Sequence, residues 1–160
     1  MLLDGASDAL TLALAIVVAA GVIVVLLRRA GYGYARTRLL ERLEAEMCRG
    51  QREGRRVALL ILRYPDFGGL GSLRIGTDRD VLETIGACFR AYDHVERIGP
   101  GEFAVILGLT DDLREGIVRE RLVRHGAPRH RFRVRVGLSR HPDDGVTPQI
   151  LLDHAVRHSA

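Results

Sequence analysis

The chain has no lysine. All 24 of its basic side chains are arginine, set against 20 acidic ones, for a formal net charge of +4. That balance suits an anionic partner such as a nucleotide, a nucleic acid or a lipid headgroup. An arginine-rich protein with no such partner shows the same balance. Cysteine is scarce. Cys48 and Cys88 lie far apart on expected helices, with no CxxC or Cys/His spacing. This excludes a zinc-type cluster and reads as idle thiols in a reducing compartment. His154 and His158 are four apart on an expected helix and could share a ligand, but no third ligand accompanies them. No metal and no cofactor are expected. Internal repeats and low-complexity tracts are also missing, so the 160 residues allow one compact domain plus an appendage.

The longest absence is of charge. Ala9 to Leu27 reads ALTLALAIVVAAGVIVVLL without one ionisable group. That is the length of a helix that crosses a bilayer core. Asp4 and Asp8 precede it, while Arg28, Arg29, Arg36 and Arg38 follow it. The positive-inside rule then puts the long C-terminal part in the cytoplasm, as a single-pass protein of the inner membrane. A cleaved signal peptide would carry its basic residues before the apolar core and have a shorter core. The division expected is an anchor over 1–29, a Gly-rich joint over 30–35 (AGYGYA) and a domain over 36–160.

Beyond the joint, Leu39, Leu40, Leu43 and Met47 give helical spacing over 36–49, and Gly50 and Gly54 bracket a turn. The run VALLIL (57–62) predicts a strand buried on both faces. The stretch YPDFGGLGS is too rich in Gly and Pro to be regular. Val81, Leu82, Ile85 and Phe89 share one face of a helix over 78–92. Strands over 94–98 and 102–107 flank a Gly-Pro-Gly turn, which is a hairpin. A helix over 113–125 precedes FRVRVGL (132–138), whose apolar/Arg alternation predicts a half-exposed strand. Pro148 opens a final helix that runs to His158. The order is α-β-α-β-β-α-β-α, an α/β sandwich on a mixed central sheet flanked by helices.

Several of these pieces, in this order, resemble the GGDEF domain of diguanylate cyclases. VALLILRYPDF resembles the strand and loop that carry the family's first metal acid, and RIGPGEF resembles the signature hairpin, here Gly99, Pro100, Gly101, Glu102 and Phe103. FRVRVGLSRHPDDG is similar to the strand and loop after the third helix, and LLDHA to the start of the closing helix. The resemblance spans residues 36–160 and implies a nucleotidyl-cyclase-like fold.

The family's chemistry joins two GTP molecules through divalent metal, which needs hard oxygen ligands. By the resemblance, the first metal carboxylate falls on Arg63, four residues before Phe67. The hairpin acids fall on Gly101 and Glu102, so one of the two is missing. The guanine-reading Asn falls on Gly71. Its partner Asp falls on Asp78, Arg79 or Asp80, and the phosphate-gripping Lys falls on Ala160. Asp66 and Glu102 cannot hold two metal ions with Arg63 between them. The domain is therefore expected to be degenerate and catalytically silent, not an enzyme.

The family often carries a separate RxxD site for its product, cyclic di-GMP, shortly before the signature. Arg90 and Asp93 (RAYD) fall there, and Arg121 falls on the second arginine that the family often adds, with Arg119 and Arg124 nearby. A guanidinium can fork onto guanine or phosphate, and a carboxylate accepts from guanine N–H groups. The bare pattern recurs at Arg63–Asp66 and Arg140–Asp143, so only its location carries weight. The expectation is a membrane-anchored, silent receptor for cyclic di-GMP that signals to a protein partner and binds no nucleic acid. The alternative is a ligand-free interaction module of a membrane or secretion complex.

Overall fold

The run VALLIL becomes strand β1 (Val57–Arg63), the middle of the architecture. Around it the computed structural model describes residues 4–64, 75–108, 115–126 and 134–159. Helix α1 (Asp4–Glu53) precedes it, and helix α2 (Ile75–Cys88) follows. Strands β2 (His94–Gly99) and β3 (Glu102–Gly108) form the hairpin. Helix α3 (Glu115–Gly126), strand β4 (Arg135–His141) and helix α4 (Pro148–His158) complete the order, which is the one expected.

The sheet runs β2-β3-β1-β4. A mixed sheet is the expectation from sequence, yet each described pairing is antiparallel. The reason is topological. The α2 crossover carries β2 past its neighbour, and β3 folds back into the gap between β1 and β2. Those two strands therefore run the same way without touching.

Strand periodicity sends alternate β1 side chains to opposite faces. Ala58, Leu60 and Leu62 join Val81 and Ile85 of α2 and Val118 and Leu122 of α3 in one core. Val57, Leu59 and Ile61 join Leu39, Leu43 and Met47 of α1 and Leu151, Leu152 and Ala155 of α4 in the other. Each face of the sheet is thus covered by two helices, which is why β1 reads as an unbroken apolar run.

The chain divides into two units, Met1–Tyr34 and Ala35–Ala160. In the first, the large apolar side chains from Leu14 to Leu27 are 47–68% exposed. This helical segment, with a mean hydropathy of 2.3 over its most apolar window, is long and apolar enough to cross a membrane. A signal sequence meets the same criteria of length and composition. The expected joint at 30–35 is helical instead. Glycine in a helix costs only about 1 kcal/mol against alanine, so two glycines among good helix formers do not end it.

Three further boundaries differ from expectation. Gly50 is helical and α1 continues to Glu53. Helix α2 stops at Cys88, four residues before the expected Tyr92. Strand β4 sits three residues late, at 135–141 rather than 132–138, and Phe132 lies outside the described residues.

Candidate functional site

The residues singled out from sequence gather at two corners of the sheet. At the first, β1 ends on Arg63, and the register sets it directly opposite Glu102 of β3. Opposed residues of an antiparallel pair share a face. Arg63 Nε donates to Glu102 Oε1 at 2.7 Å, and Nη1 reaches the Val156 carbonyl at 3.5 Å. Glu102 is thus held by a guanidinium, a positive charge that would repel a divalent cation from the same spot.

The hairpin turn explains part of the signature. Pro100 supplies the fixed φ of a turn's second position, and Gly101 takes φ +65° at the third. The Gly101 carbonyl accepts from the Tyr64 backbone N–H at 2.9 Å, tying the turn to the end of β1. Beneath it the fully buried Phe103 meets the Tyr64 ring edge to face at 5.8 Å. Burial drives the Tyr64 phenol far above its ordinary pKa, so it acts here as a packed neutral ring. Asp66, Phe67, Gly71 and Ala160 lie outside the described residues, as do the side chains of Asp78, Arg79 and Asp80 on α2. Among the described residues, no group of three His, Cys, Asp or Glu side chains is arranged to hold a metal ion.

The second corner lies where α2 gives way to β2. Asp93 Oδ2 accepts from the Arg90 backbone N–H at 2.8 Å, and the Asp93 N–H donates to the Arg90 carbonyl at 2.9 Å. This reciprocal capture closes a turn, and it is the reason α2 ends early. Arg90 and Asp93 therefore sit on a turn rather than on the helix end expected from sequence. The Arg90 guanidinium faces outward, donates to Tyr92 Oη at 2.6 Å and lies 5.7 Å from that ring's centroid.

Arg121 of α3 joins this corner. Burial raises the Asp93 carboxyl above its usual range. The Arg90 N–H and the guanidiniums of Arg90 and Arg121 pull it back down. Arg121 also lies beside Cys88, whose thiol burial pushes up. The structure thus joins Arg90 to Asp93 in one turn and sets the Arg121 carbonyl 3.9 Å from the Cys88 thiol at the end of α2, while the side chain of Arg119 is not among those described. Of the other RxxD patterns, Arg140 spends its backbone N–H on Asp144, and Asp143 pairs with Arg56 at 3.2 Å.

One cluster escaped the sequence reading. Arg42 Nη1 donates to His94 Nδ1 at 2.6 Å, and His94 Nε2 donates to Glu96 at 3.2 Å. Glu96, only 8% exposed, also pairs with Arg38 at 3.0 Å. Arg38 and Arg42 are one helical turn apart, and His94 and Glu96 share a strand face, so each half had a signal. Their pairing across 52 residues had none. His154 and His158 stack at 4.1 Å, and His158 Nδ1 donates to the His154 carbonyl, so the two rings do not converge on a shared ligand. Cys88 is buried as expected of an idle thiol, but Cys48 is exposed.

No family model and no curated protein matches the chain. Solved structures do. A sensory box/GGDEF family protein from Caulobacter crescentus matches at 22% identity and a TM-score of 0.59, over 75% of this chain and 86% of that one. Diguanylate cyclase SiaD of Pseudomonas aeruginosa, solved with its activator SiaC, matches at 26% identity and a TM-score of 0.62, over 78% of this chain and 52% of that one. The GGDEF domain of DgcB from Caulobacter crescentus, solved with c-di-GMP, matches at 16% identity and a TM-score of 0.56, over 74% and 78%. The fold is that of GGDEF cyclase-like domains, preceded by a long apolar helix.

Proposed function

We propose that this chain is a catalytically silent GGDEF-like receptor. It binds cyclic di-GMP at Arg90, Asp93 and Arg121 and passes that state to a protein partner. The observation that carries the reading is the assembled corner. There Asp93 closes the α2–β2 turn on the Arg90 N–H, and Arg121 of α3 packs its carbonyl beside the Cys88 thiol at the end of α2. That set matches a ligand with two phosphates and two guanines, which needs cationic forks and an acceptor for N–H groups. DgcB, of the same fold, is solved with this ligand, and SiaD with a protein activator.

The silence of the old centre rests on Arg63. Phosphoryl chemistry of this kind needs metal between carboxylates. Here one carboxylate position is an arginine, another is a glycine held at positive φ, and the remaining Glu102 is paired. The apolar segment over 9–27, with arginines after it, supports a single membrane span with the domain in the cytoplasm.

The test is paired. The full chain in lipid nanodiscs is expected to bind cyclic di-GMP saturably at micromolar concentration. It is expected to form none from GTP with magnesium or manganese. Turnover abolished by Glu102→Ala would overturn the silent reading. An absence of saturable binding would leave the interaction-module reading in its place.

A further inference from the structure

We propose that the groove beneath the C-terminal part of α1 is a second anion site. It takes the phosphates of a nucleoside diphosphate whose base stacks on Tyr92. The groove encloses about 370 Å³, within the size range of small-ligand sites. Its floor is apolar: Val57 and Ile106 are each 2% exposed. A methyl group built on Gly108, also in the lining, meets nothing within 4 Å, so the space there is open.

The walls are cationic. Arg42 and Arg49 of α1 and Arg55 and Arg56 of the turn before β1 face only two lining carboxylates, Glu46 and Glu53. Arg42 is the decisive one. Its contact is the imidazole of His94 at 2.6 Å, and among the described residues no carboxylate lies within ion-pair distance of it. A neutral ring accepts a hydrogen bond but does not neutralise a guanidinium. The other three pairs, Arg49–Glu46, Arg55–Glu53 and Arg56–Asp143, span 3.2–3.5 Å between side chains at least partly open to water. Exposed pairs of this kind hold weakly and yield to a phosphate with more oxygens to offer.

Tyr92 adds the second half of the recognition. Its ring is 69% exposed at the groove's edge, and Arg90 fixes its hydroxyl. An exposed aromatic plane beside a cationic groove is a platform on which any base can stack. The inference does not rest on the cyclic di-GMP reading: its phosphate-facing arginines, Arg42, Arg49, Arg55 and Arg56, are none of the residues assigned to that ligand, and Arg90 alone is shared, through the Tyr92 hydroxyl.

Calorimetric titration of the full chain in phosphatidylcholine nanodiscs with ADP and GDP tests it. Both are expected to bind saturably, and more tightly than pyrophosphate. Arg42→Gln and Arg56→Gln should each weaken ADP about tenfold or more, the effect of losing one charge-assisted contact. Tyr92→Leu should erase the advantage over pyrophosphate. Arg56 is exposed and pairs with Asp143 rather than with His94, so its variant separates ligand loss from undocking of α1. Arg121→Ala, on α3 and outside the groove lining, should weaken cyclic di-GMP binding and leave ADP binding unchanged. The proposal is overturned by any of three results: no saturable ADP binding at millimolar concentration, full binding in both Arg42→Gln and Arg56→Gln, or loss of ADP binding in Arg121→Ala.

Discussion

Arg63 reaches Glu102 at 2.7 Å, where the end of β1 lies opposite the start of β3. The two side chains are 28% and 32% exposed, so their coupling should exceed that of a fully solvated pair without reaching that of a buried one. Thermal melts of Arg63→Ala, Glu102→Ala and the double variant are expected to give a coupling of about 1 kcal/mol. A value near zero would mean that the pair does not hold the hairpin end. Asp93 yields a pH dependence. Its folded pKa is raised, so its protonated form is favoured on folding. The stability this adds is complete below the unfolded value, about 3.9, and is lost as pH rises through the raised value. Ligand N–H groups need the ionised form, so cyclic di-GMP affinity is expected to fall as pH drops through that same raised value. Titrations across pH should show this limb and lose it in Asp93→Asn; a flat profile in the wild type would remove Asp93 from the site. Much of this was legible in the sequence. Arg63, Gly101 and the location of Arg90 and Asp93 could be read by position along the chain. The turn linking Arg90 to Asp93 was not, because an Asp side chain capturing a backbone N–H competes with helix in a way that apolar spacing does not register.

Elements with an unbroken apolar signature were the easiest to foresee. Strand β1 and helix α4 fall within two residues of expectation because both bury a continuous stripe, and Thr147 caps α4 as its side chain accepts from the Ile150 N–H. Strand β4 was read three residues early for a packing reason. Gly137 lies in the expected strand, but the strand runs on past Leu138 through Ser139, whose hydroxyl looks like the end of the apolar alternation and which is nonetheless fully buried. A Cβ on Gly137 would sit 1.8 Å from the Ala155 carbonyl oxygen. Gly137→Ala must therefore push α4 off the sheet, with an expected loss of about 3 kcal/mol in denaturant-unfolding stability. Unchanged stability would contradict the close approach. The packing of α1 on the sheet is as demanding: Leu43, fully buried, should cost about 2–5 kcal/mol when changed to alanine.

At the scale of the molecule, the first 34 residues form a unit of their own and the remainder a two-faced sandwich. A reporter fused after Ala160 is expected to be active in the cytoplasm only, and the mature chain to retain residues 9–27; a mature N-terminus beyond Leu27 would show cleavage. The sandwich keeps its cores while its two corners differ in kind. One pairs Arg63 with Glu102, and the other closes a turn between Arg90 and Asp93. The claim that the second corner is the ligand site is tested most directly by cyclic di-GMP affinity in three single variants of the full chain. Losing one charge-assisted contact is worth about 1.5–3 kcal/mol, so Arg90→Ala should weaken binding about ten- to a hundredfold. Arg63→Ala and Arg140→Ala, which break the same pattern elsewhere, should leave affinity nearly unchanged. Affinity that survives Arg90→Ala and collapses in Arg63→Ala would put the ligand at the end of β1 and contradict the account.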